Sequence, residues 1–406
     1  MIFYLIRDWL GIFLSFIFIF IYLFFIKINF FPYYTILPLV LIGLLIFFKN
    51  VLKSGIPKDH LFFIVIILFF LLFYIISYLF NGGGDFYFVK EVIVLALTYY
   101  FSAFFIKYVF CKFGIHYDYN NITKFLSITI SIQLILSLIA YVNPTFFNLI
   151  FSLINIGLEK EMVEGFNEGR MVGIGAAFFG SGIINSIALV LIASILGGSS
   201  ISKNNNNIYF VCYLIIASIG MISSRTTIVG IFISLFIFLL NQRNMKFFVL
   251  VLIVILLSPL FFNFLSSNDR LVDLLDFGFK FLYDFNNSQA SSSLSVLKDM
   301  FKVYPSNFKT WLIGDALYKN EFGGYYKDID IGFLRIIFSS GLIGLFLFVT
   351  LHFFLIKRSF VKMTFLQVNL LLLLFVLNLK GVAHFYPFLF LYFLINKVRH
   401  IRYRSY

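Results

Sequence analysis

Apolar runs close to the ~20 residues needed to cross a ~30 Å hydrocarbon core recur along the whole chain, with short polar breaks between them. They predict an all-α polytopic membrane protein of about twelve transmembrane helices. The first six lie near Leu10–Ile26, Thr35–Phe48, Leu61–Phe80, Val89–Phe110, Phe125–Val142 and Val172–Leu196. The second six lie near Ile208–Ile222, Thr226–Leu240, Phe247–Phe262, Ile331–Phe354, Thr364–Leu379 and Val382–Asn396. Only one polar interval is long, running from Asn263 to Asp330. It divides the chain into a first bundle of about nine spans (1–262), a large loop (263–330), and three last spans with a basic tail (331–406).

Periodicity inside the polar intervals adds further elements. Leu271, Leu274, Leu275 and Gly278 form one apolar stripe in the large loop; Leu294, Leu297, Met300, Phe301 and Tyr304 form another, bounded by Ser291–Ser293 and stopped by Pro305. Both predict amphipathic helices able to roof a cavity at the membrane face. The run Phe146–Leu158 is shorter than the ~17 residues that a span usually needs, so it predicts an interfacial or re-entrant helix.

Composition narrows the class. Hydrophobic residues make up 61% of the chain and charged residues 12%, which excludes a soluble protein of 406 residues. The 60 phenylalanines, with abundant Ile, Asn, Tyr and Lys, fit an AT-rich coding sequence, so aromatic stripes carry no functional weight here. A net charge of +13 would suggest a nucleic-acid partner for a soluble chain, but topology accounts for it here, and no nucleic acid is expected. Lys49, Lys53, Lys58, Lys112, Lys124, Lys203, Arg243, Lys246, Lys357, Arg358 and Lys362 fall in one set of short loops, joined by the basic C-terminus. The positive-inside tendency makes that set cytoplasmic, with both termini inside and the large loop outside. No cleavable leader is visible, so the first run reads as a retained anchor. Two cysteines, Cys111 and Cys212, form neither a disulfide framework nor a metal motif.

Few basic residues lie on the opposite side, chiefly Lys27, Lys160, Arg170, Arg225 and Lys380, and these exceptions ask for a chemical reason. Arg170 follows an acidic stretch (Glu159, Glu161, Glu164, Glu168) and precedes a span rich in small residues that carries Asn185. An intramembrane amide usually faces the bundle interior. Arg225 sits in Ser223-Ser224-Arg225-Thr226-Thr227, a tight turn between two short spans, which predicts a depression in the outer surface. Ser223 or Ser224 can cap the following helix, and a guanidinium beside a helix N-terminus suits phosphate oxygens. At the end of the large loop, Asp330 enters the next span, with Gly341 and Gly344 predicted roughly 20° and 40° from it around a continuous helix. These glycines suit helix packing or a lipid groove. Arg335 falls about 140° away from Asp330, too far round for an ion pair along that helix. Tyr325 and Tyr326 suit sugar rings or an interfacial belt, and His384 is the one histidine expected near the outer surface. No metal-ligand cluster, nucleotide loop or dinucleotide fingerprint occurs, so neither a metal nor another cofactor is expected.

Taken together, these features resemble the O-antigen polymerase and ligase superfamily of membrane glycosyltransferases. The likeness rests on about a dozen spans with one large outer loop before the last few, Arg170 ahead of the Asn185 span, Ser224-Arg225-Thr226 in a tight turn, and the loop end. Ligases of that superfamily carry H-[NSQ]-x9-G-x-x-G. Here Asp330-Ile331, nine residues and Gly341-Leu342-Ile343-Gly344 keep the spacing, with Asp330 at the histidine position and a departure at Ile331. An aspartate-led version is similar to many polymerases. The resemblance implies polymerisation of undecaprenyl-diphosphate-linked repeat units at the outer face of the bacterial inner membrane. Donor and acceptor glycan lipids, membrane lipids and a chain-length regulator would be the partners. It further implies Asp330 as general base, Arg170 and Arg225 as diphosphate ligands, and Asn185, Ser224, Arg335, His384, Tyr325 and Tyr326 in substrate binding. A ligase of the same superfamily and a lipid-linked oligosaccharide flippase are the alternatives. A flippase would show pseudo-repeats and interior charges, whereas the ionisable residues here gather at the outer mouth.

Overall fold

A computed structural model describes residues 2–29, 33–155, 171–176, 178–197, 203–240, 248–249, 253 and 299–395. The helices, in chain order, are α1 (Ile2–Phe24), α2 (Ile36–Ser54), α3 (Lys58–Phe80), α4 (Tyr87–Lys112, with one π turn), α5 (Tyr119–Val142), α6 (Pro144–Leu153) and α7 (Phe178–Leu196). After these come α8 (Lys203–Ser223), α9 (Thr227–Leu240), the short α10 (Phe308–Ile313), α11 (Gly332–Ser359), α12 (Thr364–Asn378) and α13 (Tyr386–Phe393). Six of them (α2, α3, α4, α5, α7 and α11) are long and apolar enough to cross a membrane, and shorter apolar helices accompany them. This is an all-helical, multi-pass membrane architecture. The predicted span Phe247–Phe262 (but for three isolated positions), the first amphipathic stripe, the second as far as Lys298, Arg170 and the basic tail lie outside the described residues.

Burial sorts the helices. On α2 and α3, Leu45, Leu52, Leu68, Phe69 and Leu79 are exposed, an apolar face that only lipid or another apolar partner can cover. By contrast α7 is buried nearly all round and every residue of α13 is buried, so these two form the centre. Small residues allow the backbones around α7 to close up: a Cβ on Gly230 of α9 would stand 2.3 Å from Ser186 Cα. On the other side of the bundle, a Cβ on Gly43 of α2 would stand 2.0 Å from the Phe101 carbonyl oxygen of α4.

The two ends of the bundle are distinct. At one end the strands β1 (Lys27–Ile28) and β2 (Ile154–Asn155) pair antiparallel, and the surface helix α6 is capped by Asn143, which accepts from Thr145 N and Phe146 N. This ten-residue helix fits the short apolar run that was too short to span. The same end carries the loop 307–330. Asp85, after the turn Gly82-Gly83-Gly84, accepts hydrogen bonds from Tyr318 N (2.7 Å) and Lys319 N (2.9 Å). Ser77 donates to the Ile313 carbonyl and Asn81 to that of Gly314, which fastens the loop to the end of α3. At the opposite end, Arg358 of α11 pairs with Asp59 of α3.

Three predicted spans differ in detail. The segment 171–176 is irregular rather than helical: Gln133 donates to the Ile174 carbonyl and Ile174 N to Ser137, and Gly175 has φ +76°, so the helix starts only at Phe178. The segment 380–385 is also non-helical, held by Asn378, whose Oδ1 accepts from Ala383 N, and α13 begins beside Pro387. Finally α11 breaks at Gly341 (φ +65°). The shared face of Asp330, Gly341 and Gly344 assumed one continuous helix. Asp330 precedes the first helical residue and Gly341 interrupts the rest, so that face does not form.

Candidate active site at the loop-bearing end

The turn between α8 and α9 is sunk into the bundle, as the short flanking runs predict: Ser223, Ser224, Thr226 and Thr227 are all buried and Arg225 is half-buried. Its hydroxyls are used for packing. Ser223 shares a hydrogen bond with Ser181 (2.7 Å) rather than capping α9. Asn185 Nδ2 donates to Ser181 and Thr227 (3.3 Å each), so this amide ties α7 to α9. A Cβ on Gly182 would stand 2.6 Å from Ser224 Oγ, so Ser224 too fits tightly against α7. Asn185 and Ser224 thus shape the turn that carries Arg225.

A second cation joins this turn. Lys380 Nζ donates to Thr226 Oγ1 at 3.0 Å across 154 residues of sequence. Next to Lys380, Gly381 lies against the start of α11, where a Cβ on Gly332 would meet the Gly381 carbonyl oxygen at 2.5 Å. These contacts bring the Arg225 turn, the Lys380 loop and the end of the large loop around one mouth. Lys380 was legible only as an outward-facing lysine, and its partner came from the fold.

Asp330 stands at this mouth and is exposed. The reason is local. Ile329 and Ile331 on either side are buried against Phe338 and Met300, and in extended chain the residue between them points the other way. Its backbone N–H meets Met300 Sδ at 3.4 Å.

Arg335, a turn into α11, is almost fully buried at 9% exposure. Its guanidinium lies 3.5 Å from the Tyr325 ring centre and 4.4 Å from that of Tyr318, and Nε has no hydrogen-bond partner. Each ring contact contributes on the order of 0.5–2 kcal/mol. Burial pushes the pKa of the Tyr318 hydroxyl up by more than Arg335 pulls it down. Tyr326 instead donates to Asp315 (3.3 Å), whose carboxylate also takes the Thr310 hydroxyl, so it braces the loop. Gly341 gives room for the loop: a Cβ there would stand 2.2 Å from the Leu312 carbonyl oxygen of α10. Gly344 packs against Ser340 within α11.

His384 is not at the outer surface as expected. The non-helical 380–385 segment carries it inward, where it stacks on Tyr386 (5.1 Å) and lies near Phe348 (5.5 Å) and His352 (6.1 Å). Both its ring nitrogens and the Tyr386 hydroxyl are buried without a hydrogen-bond partner, and the Arg335 charge reaches it. Buried polar atoms left unmet cost about 1–3 kcal/mol each, so a cluster of them marks a place for water or a ligand. No group of three or more His, Cys, Asp or Glu that could hold a metal occurs among the described residues.

Comparison with protein-family models, curated proteins and solved structures finds no match to this chain.

Proposed function

We propose that the chain is a bacterial inner-membrane glycosyltransferase of the O-antigen polymerase type, joining undecaprenyl-diphosphate-linked repeat units into a surface polysaccharide. What supports this reading most is the contact of Lys380 with Thr226, which sets two cation-bearing turns beside the Asp330 end of α11. A lipid diphosphate carries two or three negative charges, and cations fixed beforehand stabilise it as it leaves. Orientation by the basic loops makes this mouth periplasmic and both termini cytoplasmic.

In the proposed reaction an acceptor-sugar hydroxyl attacks the anomeric carbon of the donor glycan. The bond from that carbon to the diphosphate oxygen breaks, and the electron pair leaves with the diphosphate, held by Arg225 and, from the sequence resemblance, Arg170. The proton passes to Asp330, which is exposed and so open to an acceptor arriving from water. Tyr325, backed by Arg335, offers an aromatic face to a sugar ring.

The test is complementation of a deletion strain with Asp330→Asn. Normal membrane levels with long-chain glycan absent, and single repeat units still transferred, is the expected result. Wild-type chain lengths would remove Asp330 from the chemistry. Glycan accumulating only on the carrier lipid in the deletion strain would point to a ligase instead.

A further inference from the structure

The opposite end of the bundle holds a site that the reaction does not use. A cavity of about 600 Å³ opens there, lined by Asn50, Ser54, Asp59, His60, Lys107 and Arg358, with apolar walls that include Phe104 and Phe393. A second cavity of about 460 Å³ shares Asp59 and Arg358 and adds Lys357 and Lys362. The Asp59–Arg358 pair therefore stands between the two.

The charges of these cavities are unequal. Among the described residues, Asp59 is the one carboxylate lining either cavity, and Arg358 already engages it. Against it stand Lys107, Lys357, Lys362 and Arg358. Arg358 meets Asp59 through Nη2 and its Nε is buried, but its side chain stays 21% exposed and lines both cavities, so part of its planar fork faces them. Lys107 Nζ donates to the Leu394 carbonyl at 2.8 Å, which fixes an ammonium at the cavity wall. The level in the bundle is also informative. Spanning helix α3 starts at Lys58 and α11 ends at Ser359, so the cavities lie where phosphates of a bilayer leaflet lie, with phenylalanine rings extending toward the apolar interior.

We infer that this end binds a phosphate ester, whose oxygens take the exposed part of the Arg358 guanidinium beside the Lys107 ammonium while its apolar part rests on the phenylalanine walls. A guanidinium fork and an ammonium converging on one small anion is a common basis of phosphate recognition. The phosphate can belong to a lipid headgroup or to a soluble ester, and the chemistry is the same.

The experiment uses the full chain in dodecyl maltoside micelles, which carry no phosphate. Phosphatidylglycerol is titrated in one arm and glycerol 3-phosphate in the other, with bound molecules counted by native mass spectrometry. Saturable retention is expected in at least one arm. Lipid-only binding identifies a headgroup site, and binding in both arms shows that the phosphate alone suffices. Arg358→Gln should weaken retention about tenfold. Asp59→Asn should strengthen it about threefold, because the released guanidinium turns wholly to the phosphate. Ser54→Phe leaves the ion pair intact and fills the cavity from its rim, so it should reduce binding if either charge variant fails to fold. Absence of saturable retention in both arms, or Asp59→Asn and Arg358→Gln moving it in the same direction, would overturn the inference. Since the readout is binding and not polymer, failure here leaves the polymerase reading untouched.

Discussion

Two arginines of one helix are treated in opposite ways. Arg358, in the last turn of α11, pairs with Asp59 at a partly open surface. Arg335, in the first turns of the same helix, is more buried and has no carboxylate partner among the described residues, resting instead on two tyrosine rings. A partner carboxylate neutralises a cation for incoming anions, whereas a tyrosine face stabilises it and leaves its charge uncompensated. At the loop-bearing end the Arg335 charge thus has no described carboxylate against it. At the other end Asp59 engages Arg358 directly.

That contrast predicts an order of effects. The largest belongs to Arg225→Lys, which keeps the charge but loses the planar fork; polymer formed by membranes from the complemented strain should fall about 10²–10³-fold. Near-normal polymer from that variant would mean that a point charge suffices at the mouth. Next comes Gly341→Ala. Its φ of +65° and the 2.2 Å approach of the Leu312 carbonyl oxygen leave no room for a methyl group, and unfolding in detergent should show a loss of about 2–3 kcal/mol. Unchanged stability would show that α10 does not need this close approach. Arg335→Lys should reduce polymer about tenfold and cost about 1–2 kcal/mol of stability, since an ammonium stacks poorly between Tyr318 and Tyr325. Equal polymer from that variant would leave the tyrosine platform a packing feature only. The smallest effect is expected for Arg358→Lys, which should shift stability by no more than ~1 kcal/mol and leave polymer length alone, because a partly exposed pair contributes little. A loss of polymer as severe as that of Arg225→Lys would erase the difference between the two ends.

Much of the architecture was legible because lipid imposes a simple rule. Backbone polar groups must be met within each helix, so apolar runs of spanning length announce helices; eleven of the predicted spans overlap described helices, six of which are long and apolar enough to cross a membrane. The sunken Ser223–Thr227 turn was legible too, from the shortness of its two flanking runs. What was lost involved single residues. Counting 100° per residue failed at α11 because Gly341 can adopt a φ that ends regular helix, and nothing in the G-x-x-G spacing separates a helical glycine from a breaking one. His384 was misplaced because hydropathy reads 382–396 as one run, while Asn378 holds the first part as non-helical chain and so draws the histidine inward. The run of glycines before Asp85 was a turn signal that could have drawn attention to this acid, which fastens the large loop to α3.

By itself, then, the sequence determined a helical membrane bundle with unevenly shared basic residues, one large polar loop and a handful of cations on the sparse side. Those properties follow from length, hydropathy and charge, which are summed locally along the chain. Only the tertiary structure decided that Lys380 meets the Arg225 turn, that Asp330 stays exposed between two buried isoleucines, and that Arg335 rests on tyrosines while Arg358 takes an acid. Each of those outcomes depends on residues far apart in the chain or on one backbone angle. Hydropathy carries neither, because lipid fixes which residues lie in a helix and not which faces of the helices meet.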